Sequence, residues 1–65
     1  MKITLLSVEN LVEIGTIKLD TTPKKDDCVM LNDIIYLVIS IVYSENMVSL
    51  IVRKHPKYND ENFVI

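Results

Sequence analysis

Alanine, glutamine and tryptophan do not occur in this 65-residue chain, and glycine, cysteine and histidine occur once each. Each scarcity removes a possibility. Alanine is the strongest helix former, so its absence speaks against a helical domain. Gly15 stands alone, which leaves no glycine-rich loop to cradle a phosphate. Cys28 has no second cysteine to pair with, so no disulfide forms within the chain. That single thiol, together with a first stretch lacking a secretory cleavage pattern, leads us to expect a cytoplasmic location. The longest apolar run, residues 34–42, is interrupted by Ser40 and is far shorter than the ~20 residues of a membrane-spanning helix. No membrane association is expected.

What is present is equally one-sided. Ile, Val and Leu supply 24 of the 65 residues, within a hydrophobic fraction of 49% and against a net charge of −2. β-Branched side chains lose rotamer freedom in helices and pack well on a pleated surface. A chain this apolar, with so little net charge, is not of the disordered class. Lys outnumbers Arg six to one, and Ile and Asn are common. That usage suits A/T-rich coding, as in small phage or mobile-element proteins.

The alternation of apolar and polar residues predicts five strands. The first covers residues 2–8, with a one-residue slip in phase at Leu5–Leu6 that signals a bulge or bend. Glu9–Asn10 is a turn. The second covers residues 11–20 and changes phase at Gly15, again a bulge signal. Leu11, Ile14 and Lys18 also fit a helical spacing over residues 8–18, but Gly15 and the β-branched residues oppose it. Residues 21–27 are a polar loop. A short third strand, residues 28–31, precedes Asn32–Asp33, two residues that tolerate a left-handed backbone and so predict a two-residue hairpin turn. The longest strand is Ile34–Tyr43. Ser44, Glu45 and Asn46 turn the chain into a last strand over residues 47–54. One domain, residues 1–54, is therefore expected. Residues 55–65 form a C-terminal tail whose Phe63, Val64 and Ile65 could fold back on it. The fold class is all-β: a small five-stranded antiparallel barrel or a strongly bent sheet.

The stretch PKKDDCVMLNDIIYLVISIVYSENMVSLIVRK, residues 23–54, resembles small Src-homology-3-like β-barrels in layout. A Pro- and Asp-containing turn, Pro23 to Asp27, leads into a short strand. A tight turn follows, then a longer strand with the aromatic Tyr36 near its start, and a returning strand. The resemblance implies a small barrel. It does not carry peptide binding with it, because no aromatic cluster or Trp is present to grip a proline-rich ligand, and fold alone does not set function. An oligonucleotide-binding-type barrel is the alternative architecture.

Little in the inventory can carry catalysis. His55 lies among Lys54, Pro56 and Lys57 and reads as a solvated tail residue. A Cys28–His55 dyad is arithmetically possible, but a cysteine entering a strand reads as structural and inert. Asp26, Asp27 and Asp33 lack the spacing of a cation loop and read as turn residues. No enzyme activity, cofactor or metal is expected.

One feature exceeds what a small barrel needs. The strand Ile34–Tyr43 is apolar on both faces, where a strand with one wet face should alternate. Ile34, Tyr36, Val38 and Val42, joined by Met47 and Ile51 of the returning strand, form the candidate protein interface. The leading expectation is a non-enzymatic interaction module that forms a homo-oligomer and binds a protein target. Two alternatives are carried. One is weak nucleic-acid binding through Arg53, Lys54, Lys57 and Tyr58, a cationic run with one stacking ring, disfavoured by the acidic balance of the whole chain. The other is an oligomer holding a small ligand between subunits.

Overall fold

The computed structural model describes residues 1–57 and contains five strands and no helix among them. They are β1 (Lys2–Ser7), β2 (Glu13–Lys18), β3 (Cys28–Leu31), β4 (Ile34–Tyr43) and β5 (Val48–Lys54). The all-β expectation holds. All five belong to one sheet in the order β2-β1-β5-β4-β3. The wholly antiparallel arrangement is corrected: β1 and β5 run parallel, with Ile3 beside Val48 and Leu5 beside Leu50, while the other neighbours are antiparallel. A parallel pair needs a long connection. Here that connection is the rest of the sheet itself.

The two phase slips read from the sequence correspond to a single register shift between β1 and β2. Leu5 pairs with Gly15 and Leu6 with Glu13, so Ile14 is the extra residue of a bulge in β2. A bulge bends and twists the strand that carries it. A second register shift falls between Val38 and Ser40, at a place where the apolar run of β4 conceals any break in alternation. The sheet curls into a half-barrel, and its concave face holds the core: Ile3, Leu5, Val29, Tyr36, Val38, Leu50 and Val52. Ile14, Ile17, Leu31, Ile34 and Ile41 pack around them.

The curl brings the two edge strands within side-chain reach. Leu31 of β3 lies over Gly15 of β2, so close that a Cβ on Gly15 would stand 2.7 Å from the Leu31 Cδ2 atom. Gly15 therefore serves close approach across the seam as well as the bulge. No backbone ladder joins β2 to β3; the Leu31 side chain lies there against the Gly15 main chain.

The turns show why the strands end where they do. Asn32 and Asp33 have φ of 53° and 66°. A two-residue turn with both φ positive matches the twist of the strands it joins. The first hairpin is less well provided. Leu11 takes φ 58°, which ends extended structure there and delays β2 to Glu13. Its N–H donates to the Ser7 carbonyl at 2.8 Å, and the Asn10 side-chain oxygen accepts from the Val12 N–H at 3.1 Å. In the long loop, the Asp27 carboxylate accepts from the Lys24 N–H at 2.9 Å, which is the turn role read from the sequence. The expected fold-back of Phe63, Val64 and Ile65 lies outside the described residues.

Candidate interaction surface

The register separates the two faces of each strand. On β1 and β5, Ile3, Leu5, Leu50 and Val52 point inward and are fully buried. Their neighbours Thr4, Leu6, Ser49 and Ile51 point outward. On β4 the bulge changes the assignment midway. Before it, Ile34, Tyr36 and Val38 are inward, and Ile35 and Leu37 outward. After it, Ile41 is inward and Val42 outward, with Val42 44% exposed. One extra residue thus accounts for much of the two-faced character of this strand, because the inward set switches from even to odd positions.

This divides the six residues proposed as an interface. Tyr36 and Val38 are core residues, 6% and 0% exposed, and Ile34 packs beside them. That part of the expectation is corrected: the inner face of the half-barrel takes these three, and they present no docking surface. Val42, Met47 and Ile51 lie outside the core, with Val42 and Met47 exposed and Ile51 half-buried. The residues that join Ile51 and Val42 on the outer face are Leu6, Ile35 and Leu37, all half-buried. Only the register, with its bulge, identifies them, since in the sequence both phases of β4 are apolar apart from Ser40.

The outer face of β1, β5 and β4 is uncharged at its centre. Thr4 and Ser49, both buried, sit side by side across the parallel pair, and Leu6 is in register with Ile51. Charge enters at the rim, through Lys2, Glu13, Lys18 and Arg53. Among the described residues no helix or second sheet is layered on this face.

The basic segment is not gathered on one surface. Arg53 and Lys54 are consecutive strand residues and fall on opposite faces, with Lys54 in register with Tyr36 and Arg53 with Leu37. Lys57 is exposed, and its N–H donates to the His55 Nδ1 atom at 3.1 Å. Tyr58 lies outside the described residues. A concave surface of about 620 Å³ at this end of the curl adds Glu9 and Ser7 to Arg53 and Lys54, so its charge is mixed.

Cys28 is exposed. It opens β3 in register with Leu37, whereas the His55 N–H donates to the Ile35 carbonyl on the other side of β4. With β4 between them the two do not form a dyad, which needs direct hydrogen-bond reach. His55 is half-buried rather than solvated. Among the described residues no three His, Cys, Asp or Glu side chains gather to hold a metal, and no helix is long and apolar enough to cross a membrane. Compared with protein-family models, with curated proteins and with solved structures, the chain gives no match.

Proposed function

We propose that this protein is a non-enzymatic interaction module that associates with itself and with a protein target through its sheet. The observation that carries the reading is the outer face built by Leu6, Ile35, Leu37, Val42 and Ile51, on a sheet whose inner face already holds the core. Antiparallel sheets with one solvated face normally alternate apolar and polar residues; here Val42 is exposed and Leu6, Ile35, Leu37 and Ile51 are half-buried on the face opposite the core, and apolar surface left outside a core is what interaction sites are made of. The resemblance of residues 23–54 to Src-homology-3-like barrels is one of layout and adds nothing about function.

The test uses the immobilised wild-type chain and a Leu37→Glu/Ile51→Glu variant whose fold is checked by far-ultraviolet circular dichroism. A protein target should bind the first in a saturable manner and be lost from the second. Equal retention by both, or none by either, would refute the outer face as the contact surface.

A further inference from the structure

Among the described residues the sheet has three stretches of open edge, and they are not equivalent. The edge of β2 is flanked by Glu13 and Lys18, charges of the kind that discourage strand addition. The edge of β3 is four residues long and turns toward β2, where Leu31 closes on Gly15. The third lies on β4. β3 covers the outer side of β4 only from Ile34 to Leu37. The loop then takes over for one residue: Asp26 N–H donates to the Val38 carbonyl at 2.8 Å, and Val38 N–H to the Asp27 carbonyl at 2.9 Å. Beyond Val38 the covering stops, while β4 continues to Tyr43 against β5 alone.

The alternation of the ladder identifies the open groups. Ser44 N–H donates to the Met47 carbonyl at 3.0 Å across the turn, so Ser44 faces β5, and Val42, two residues earlier, does as well. Ile41 and Tyr43 consequently direct their N–H and C=O groups away from β5. No described residue hydrogen-bonds them there. The segment Ser40-Ile41-Val42-Tyr43 carries no charge and no Pro, the usual protections of an edge.

We infer that this edge pairs with the same edge of a second copy, antiparallel about a two-fold axis at Val42, to make one sheet across a homodimer. The inference rests on the proposed self-association and says where it occurs. The occupant follows from self-complementarity. With the axis at Val42, Ile41 of one copy stands opposite Tyr43 of the other, and both residues have outward main-chain groups. Each such pair exchanges both of its hydrogen bonds, and the symmetry makes two pairs. On the inner side each Tyr43 ring meets an Ile41, a favourable aromatic–β-branched pair. On the outer side Val42 meets Val42, and the apolar outer faces of the two subunits become continuous. No like charges are opposed: Glu45 comes opposite Ile39 of the other copy. A four-residue edge buries little area, so the dimer is a weak one that forms by mass action.

The register gives a specific test by sedimentation equilibrium from micromolar to millimolar protein. The wild type should dimerise reversibly. Val42→Lys and Val42→Glu, at a site already 44% exposed, should keep the fold by circular dichroism. Each should weaken self-association by up to about fivefold, because like charges then stand directly opposite. Mixing the two variants in equal amounts should restore a dimer. Tyr43→Pro, which removes an outward N–H that the chain does not use internally, should also be monomeric. A wild type monomeric throughout would overturn both this inference and the self-association it rests on. A wild type that dimerises while Val42→Lys dimerises equally well would overturn the β4 edge alone, leaving self-association by another surface. Failure of the mixed variants to pair would overturn the two-fold register.

Discussion

Tyr36 and Tyr43 stand on the same strand and share its inner side, yet the first is 6% exposed and the second 69%. The difference lies in what flanks them. Tyr36 has Val29 of β3 on one side and Lys54 of β5 on the other. Tyr43 has only Val48 of β5. Between them, the bulge re-phases the strand and β3 gives way to a loop. The first half of β4 is an interior strand and the second half an edge, although the sequence runs apolar through both. Burial in a sheet this small is decided by how many strands flank a residue, and only then by its chemistry.

That comparison is most easily broken by truncating each ring. Tyr36→Ala should destabilise the fold by about 3–5 kcal/mol, as for other large aromatic truncations in cores. For a domain of this size, where total stability runs at roughly 0.05–0.15 kcal/mol per residue, such a loss approaches complete unfolding. Tyr43→Ala should change stability by no more than about 0.5 kcal/mol. Urea denaturation of dilute protein measures both. A large cost at Tyr43 in dilute solution would mean that this half of β4 is covered after all.

The sealed half also depends on the seam. Gly15→Val places methyl groups where Leu31 lies and should cost about 1–3 kcal/mol, the range of overpacking in a filled core. In a Leu31→Ala background the same substitution should cost much less, and thermal unfolding of the four chains gives the coupling. Equal costs in both backgrounds would show that the seam does not hold the two edges together.

The smallest expected effect is at the turns. Leu11 occupies a left-handed backbone at φ 58° with an exposed side chain. Leu11→Gly relieves a conformational cost of roughly 1–2 kcal/mol and adds chain entropy to the unfolded state, for a net gain below about 1 kcal/mol. Asp33→Gly, in a turn already well matched, should gain only a few tenths of a kcal/mol by comparison. If Leu11→Gly is instead destabilising, the exposed leucine makes a contact that supports the fold.

Much of the local structure was legible. The bulge at Leu5–Leu6 appears as a slip in alternation, and Gly15 marks its place on the partner strand. Asn32–Asp33 announces its own turn because both residue types accept positive φ. Leu11 was not legible as a turn residue, since nothing about leucine favours that backbone. The split of β4 was not legible either. A bulge is read from a broken alternation, and residues 34–42 offer no alternation to break apart from Ser40. For the same reason Tyr36 and Val38, which belong to the core, stood beside Val42, which does not, in one apparent face.

Composition and local pattern alone determined that this chain makes strands, roughly where they begin and end, and that its inventory is poor in catalytic groups. Those properties depend on neighbours within a few residues, which the sequence displays directly. Tertiary structure alone decided that β1 and β5 run parallel, because the same apolar alternation suits either direction. It also decided which face of β4 lies inside, because a bulge within a run that is apolar on both phases apart from Ser40 cannot be read from alternation, and how far β3 and its loop cover β4. From those long-range pairings comes the distinction between an interior half and an open half of one strand.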